Sequence, residues 1–360
     1  MALLAGLLAA CVATPHPAIE PATPSPAPPP AAETPPIAAA EPAAAPPAPA
    51  PEPPAFAGAS IRSDPPPPQL IKSSHYWISN EHSHFVWHAP LQALGGAYLG
   101  VGTDQNYLLA GWSRPELLLL VDFDEAIVDL HRAYRVAFTA SATPEAFLEL
   151  WSQAGADAHA AHIVAAFPDP ALQARVLRAR RIARPLVHKR LRKTLRLYKE
   201  RGIPTFLDDP AQYGHLRRLW QEDRAFAVRG DLTGDATLVD IAAALRAAGL
   251  TLAVLYLSNA EQYFDYVPGF RRNVLALPMT ERSLVLRTLG WQGHGFIAGE
   301  QYHYNHQPGL DFAAWMRVSA VERSGHLLRR KRATDVHGVS ILDAAPVPGR
   351  RPPQIAGTAP

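Results

Sequence analysis

The chain has 360 residues and a net charge of only +2, and 37 of its residues are prolines. Of those prolines, 21 fall between Pro15 and Pro68, in a stretch that is nearly all Pro, Ala, Glu, Ser and Thr, with Phe56 alone among Phe, Trp and Tyr. Such a stretch cannot bury enough apolar surface to offset the entropy of ordering. The single cysteine, Cys11, excludes an intramolecular disulfide framework. No segment after it has eighteen uninterrupted apolar residues, which excludes a later transmembrane helix.

Residues 1–11, MALLAGLLAAC, are a short apolar run ending at Cys11. Leu8-Ala9-Ala10-Cys11 resembles the lipobox of bacterial lipoproteins. The resemblance implies a lipid-modified Cys11 that anchors the chain in a membrane of the cell envelope. Val12 carries no acidic retention signal, which favours the outer membrane. A chance Ala/Leu-rich N-terminus would instead leave the protein in the cytoplasm. Residues 12–68 read as a disordered linker rich in polyproline II, 69–345 as one folded domain, and 346–360 as a disordered tail.

The domain opens with HYWISNEHSHFVWHAPL (75–91), aromatic and His-rich, expected as a strand or an N-terminal cover. GGAYLGVG (95–102) predicts a buried strand, and TDQNYLLAGW (103–112) a helix with Thr103 or Asp104 as N-cap. ELLLLVDFD (116–124) is a fully apolar run ending in acids, as in a parallel strand covered on both faces. EAIVDLHRAYRVAF (125–138) is amphipathic. Residues 143–223 read as a helical insertion, opening on Thr143-Pro144-Glu145 and broken by a kink at Pro185. The alternation then resumes with a strand and turn (224–234), a helix stopped by Gly249 (236–249) and a strand (250–260). A whole or broken helix (264–277) and another strand (283–289) follow, and 300–306 with 314–322 are expected to close the sheet. Strands alternating with helices predict an α/β fold with a doubly wound, mostly parallel sheet.

Ligands of such sheets bind outside the carboxyl ends of the strands. The polar residues expected there are Gly100, Gly102, Asp104 and Asn106, then Asp122 and Asp124, then Asp231, then Ser258, Asn259 and Glu261. Asp122 stands 20 residues after Gly102, the distance at which an acid meets ribose hydroxyls. A carboxylate can accept hydrogen bonds from both vicinal hydroxyls. Asp122 and Asp124 also suit the cap of the helix starting at Glu125. Asp104, Asp122, Asp231 and Glu261 could together hold a divalent cation through hard oxygen ligands. His303 and His306 are three apart, as metal ligands on a helix would be, although their segment reads as strand or loop.

Taken together, YLGVGTDQN, LLLLVDFDEAIVDLH, VRGDLTG and LAVLYLSNAEQYF resemble the core of class I S-adenosylmethionine-dependent methyltransferases. The chain also resembles a group of bacterial lipoproteins carrying such a domain. The first resemblance implies a Rossmann-like fold and cofactor contacts at Gly100, Gly102, Asp104, Asp122, Asp231 and Ser258. It places Asn259 and Glu261 at the catalytic position. Asp104 stands where the family's glycine turn has its third glycine, and the fourth motif lacks the Asn/Asp-Pro-Pro-aromatic sequence of amino-methylating members. A lipoprotein's domain lies outside the cytoplasm, where S-adenosylmethionine is made. The expectation is therefore an anchored lipoprotein whose cleft binds a small polar or nucleoside-like ligand without methyl transfer. The alternatives are a working methyltransferase and a metal-assisted hydrolase.

One segment departs from the overall charge balance. Residues 175–201 hold twelve Lys and Arg against one acid, Glu200, which leaves the rest of the chain at −9. Three readings fit: a solvated helix face, a face for anionic lipid or lipopolysaccharide, or phosphate contacts to nucleic acid, the last disfavoured by export.

Overall fold

The computed structural model describes residues 56, 58–65, 75–290 and 292–346. Residues 1–11 with Cys11, most of the 12–68 linker, and 347–360 lie outside the described residues. The elements run α1 (His88–Leu91), β1 (Ala97–Val101), α2 (Gln105–Ser113), β2 (Leu117–Asp122), α3 (Glu125–Ala140), α4 (Pro144–Trp151), α5 (Ala156–Ala166), α6 (Pro170–Glu200), α7 (Pro210–Gln221) and β3 (Ala225–Arg229). They continue with α8 (Thr237–Ala247), β4 (Leu252–Tyr256), α9 (Pro268–Ala276), β5 (Met279–Leu289), β6 (His303–Pro308), α10 (Gly309–Met316), α11 (Ser324–Leu328), β7 (Arg332–Ala333) and β8 (Val339–Ile341).

The sheet has eight strands in the order β3-β2-β1-β4-β5-β6-β8-β7. Strands β1 to β5 are mutually parallel, β6 runs antiparallel to β5, and β8 lies parallel to β6. This is a Rossmann-like, doubly wound arrangement, and the chain reverses its direction of winding between β1 and β4. Strand alternation divides the core into two layers. Leu118 and Leu120 face the layer built with α2, α3 and the helices of the insertion, while Leu117, Leu119 and Val121 face α8, α9 and α10.

The insertion is helical, as expected. Thr143 caps α4 through Ala146 N, and Asp169 and Asp209 cap α6 and α7 in the same way, each followed by Pro at the first helical position. Pro185 does not divide α6, which runs unbroken over 31 residues. Pro185 lies on the solvent face, where a carbonyl left without its amide partner can be hydrated.

Of the two readings of residues 75–91 the cover holds: they are extended chain ending in a short 3-10 helix and α1, with no strand. Two other expectations change. Residues 314–322 end a helix instead of adding a strand, and the sheet is closed by the two- and three-residue strands β7 and β8, too short to leave a periodic signal. Packing also reaches back into the proline-rich segment. Arg62 pairs with Asp240 at 2.8 Å, and the buried Asp64 carboxylate accepts hydrogen bonds from Ala236 N (2.9 Å) and Thr237 N (3.2 Å). Asp64 thereby caps α8, whose own N-cap residue, Ala236, has no side chain able to do so. Among the described residues no helix is long and apolar enough to cross a membrane.

Candidate functional site at the carboxyl edge of the sheet

The turn after β1 is stabilised from within. Gly102 has φ of +87°, a conformation that favours glycine, and the space a side chain would need there is taken by the amide of Gln105. The space beside Gly100 is taken by Asn106 Oδ1 and the Tyr98 ring. Asn106 accepts from Tyr98 Oη (2.9 Å) and donates through Nδ2 to the carbonyls of Val101 (3.0 Å) and Thr103 (3.2 Å). Burial lowers the pKa of His131 to about 4, so its ring is neutral. Its Nε2 donates to Gly102 O (2.8 Å) and its Nδ1 accepts from Tyr107 Oη (2.9 Å). The space beside the two glycines is therefore taken by side chains of α2 and by Tyr98.

Asp104 makes no side-chain cap for α2. Its carboxylate is buried in an ion pair with Arg190 Nε at 2.7 Å and accepts from Ser79 N at 2.8 Å. Arg190 reaches inward from α6 and also donates to Glu81 O (2.6 Å) and to the His82 ring. One residue of the basic segment is thus a core cation.

Asp122 comes together with the glycine turn, as its spacing predicts. Burial pushes its pKa up to about 7, against the lowering effect of backbone N–H groups of Asp124, Gly102 and Phe123. Asp124 caps α3 through Ala126 N (2.9 Å) and pairs with His75 Nδ1 at 2.6 Å. Asp231 closes its own turn, accepting from Thr233 N and Oγ1 at 2.8 Å each.

Beyond β4 the structure holds a socket that sequence reasoning missed. Glu81, from the cover, is buried against the strand ends and accepts from Tyr256 Oη (2.5 Å), Ser258 Oγ (2.8 Å), Thr288 Oγ1 (2.5 Å) and His84 Nε2 (2.9 Å). Burial alone would raise its pKa, but the donors, His84 foremost, bring it down to about 2. Ser258 adopts φ of +49°, unusual for a residue with a Cβ, and so points its hydroxyl at this carboxylate. Ser83 and Tyr304 fasten the cover from the other side through Glu300, the Tyr304 hydroxyl at 2.6 Å. The segment from His75 to His84 thus meets Asp124, Asp104 and Ser258, three of the predicted polar residues, and takes up their hydrogen-bonding capacity. The only signal of this role was the aromatic and His content of 75–91; nothing near Glu81 indicates which strand ends it meets.

Glu261 and Asn259 part company. Glu261 is buried, pairing with Arg287 Nε at 2.6 Å and accepting from Tyr266 Oη at 2.6 Å. Arg287, fully buried, also donates to Asn305 Oδ1 (2.8 Å) and Gln307 Oε1 (3.0 Å). Asn259 is near the surface, with one long contact to Tyr263 Oη at 3.5 Å. Next to Glu261, and without Asn259 in its wall, opens a cleft of about 460 Å³ lined by Glu261, Gln262, Tyr263, Asp265, Arg323 and Ser324 among others. Its size is that of a small-molecule site.

The four acids that could have shared a cation do not assemble: Asp104 and Glu261 each hold an arginine, and Asp231 holds its own turn. His303 and His306 lie on a strand, where residues three apart face opposite sides. His303 is tied to Ser340 Oγ at 2.7 Å. Among the described residues no group of three or more His, Cys, Asp or Glu is placed to hold a metal ion.

Residues 76–343 match the model of a family described as a domain of unknown function, DUF7790. No curated protein matches the chain.

Proposed function

The chain belongs to the DUF7790 family, and from that premise we propose that it is a membrane-anchored lipoprotein whose methyltransferase-like domain binds a small polar or nucleoside-like ligand and transfers no methyl group. The observation that supports this reading is that the protein's own residues occupy the space beside the glycines and the strand ends next to them. Gln105 and Asn106 occupy the space beside the glycines, and the cover seats Glu81 on the ends of β4 and β5. The residues present do not fit S-adenosylmethionine in this arrangement, so no methyl-transfer step is derived. The open cleft past β4 supports binding instead. Tyr263 offers an exposed ring for stacking, and Arg323 and Asp265, an exposed ion pair at 3.2 Å, offer both charges to a polar ligand.

One observation favours a second reading. Gly102 and Asp122 do meet, as they would in a working methyltransferase. Isothermal titration calorimetry with S-adenosylmethionine and S-adenosylhomocysteine separates the two. The expected result is no binding heat; micromolar binding that disappears in Asp122→Ala overturns the proposal. For the cleft, mass spectrometry of small molecules released on denaturation is expected to find a polar species absent from the Tyr263→Ala/Arg323→Ala variant.

A further inference from the structure

Helix α6 carries most of the chain's excess positive charge, and the structure sorts these residues into two sets. Arg175 pairs with Glu125 and Asp129, Arg190 with Asp104, and Arg180 and Arg184 bond to Ala156 O and the Gln153 side chain. Arg178, Arg181, Lys189, Arg192 and Lys199 are exposed and make no ion pair among the described residues. At about 100° per residue these five, with the exposed Lys193 and Arg196, fall within an arc of about 140° and extend for about 30 Å.

Two aliphatic side chains lie along one edge of that arc. Ile182 and Leu186 are each 43 % exposed, flanking the exposed Pro185. A helix face that is merely solvated carries acids three or four residues from its bases. Here the face has a single such pair, Arg196 with Glu200 at 4.0 Å. A cationic arc bordered by exposed aliphatics has the composition of a helix that lies in a membrane interface.

We propose that this face of α6 docks the domain on an anionic lipid bilayer. Ile182 and Leu186 enter the boundary between headgroups and acyl chains, while the flanking Lys and Arg side chains meet lipid phosphates. The aliphatic pair selects lipid over nucleic acid, whose phosphates would satisfy the cations but which offers nothing to Ile182 or Leu186. The proposal is independent of what the cleft binds.

The test uses the full chain carrying Cys11→Ser, so that no acyl group contributes, in co-sedimentation with phosphatidylcholine vesicles with and without phosphatidylglycerol. Binding is expected only with phosphatidylglycerol and is expected to weaken as salt rises. Each lost charge should weaken it about five-fold, so Arg181→Gln/Lys189→Gln/Arg192→Gln should lose about 100-fold. Ile182→Ser/Leu186→Ser should weaken vesicle binding and leave any binding to duplex DNA unchanged. Circular dichroism and thermal unfolding check that the variants fold. Arg114→Gln/Arg218→Gln/Arg329→Gln removes the same charge elsewhere and should weaken binding far less. The proposal is overturned by equal vesicle binding with and without phosphatidylglycerol, by equal loss in the two triple variants, or by tighter binding to duplex DNA than to the anionic vesicles.

Discussion

Glu81 and Glu261 are each 1 % exposed at the same edge of the sheet, yet they are held by different chemistry. Glu261 arrives on the loop after β4 and meets a full cation, Arg287. Glu81 arrives on the cover, from a part of the chain 175 residues before Tyr256, and meets three hydroxyls and an imidazole. The first arrangement is a buried ion pair inside one half of the domain. The second is a latch between the cover and the strand ends. Buried ion pairs add little net stability when intact, because desolvation offsets their attraction, but breaking one leaves a buried charge. Removing the Glu81 carboxylate takes away one acceptor shared by four donors on the cover and the strand ends. The two glutamates therefore separate what holds one half of the domain together from what fastens the cover to the sheet.

The largest expected effect follows from breaking the ion pair. Glu261→Ala leaves Arg287 charged and buried and should cost about 3–5 kcal/mol, a large part of an ordinary domain's stability. A urea titration checks this as a drop in midpoint with the slope unchanged.

Glu81→Gln should cost less, and its cost should depend on pH. The folded pKa of Glu81, about 2, lies below its ordinary 4.5. Its contribution is therefore full above about pH 4.5 and disappears as pH falls towards 2, amounting to about 3 kcal/mol. Urea midpoints of parent and variant should lie far apart at about pH 5 and converge by about pH 2. Convergence at both pH values would mean that the latch does not depend on the charge.

The smallest and opposite effect belongs to Asp122. Its folded pKa of about 7 lies above its ordinary 3.8, so folding favours the protonated form. Stability from this group is full below about pH 4 and is lost as pH rises to about 7, by a few kcal/mol at most because some solvent reaches the carboxylate. Asp122→Asn should flatten that decline and leave the protein more stable than its parent at about pH 8, read from thermal midpoints across the range. A variant that tracks its parent would show that Asp122 is ordinarily ionised, as a ribose-binding acid would be.

Much of the fold was legible because its signals are local. The apolar run 116–124, the amphipathic 125–138 and the cap at Thr143 each declare themselves within one or two turns of chain. The misreadings have local causes as well. Proline at 185 predicts a break, but the helix tolerates it where solvent receives the freed carbonyl. The strands that close the sheet are too short for any period. The site was legible only in outline. Gly102 and Asp122 meet as their spacing implies, yet Asp104 and Glu261, indistinguishable in sequence from ligand-binding acids, are each bound to a buried arginine.

By itself the sequence determined where strands and helices alternate, and hence the doubly wound sheet and the edge at which a ligand would sit. Periodicity and capping act over a few residues, so they survive without knowledge of the rest of the chain. Only the tertiary structure decided which polar groups at that edge are free. Asp104 meets its partner 86 residues away and Glu81 meets Thr288 207 residues away. Residue type fixes which atoms can accept a hydrogen bond, but the charge and the availability of a carboxylate depend on its burial and on which donors the fold brings within 3 Å.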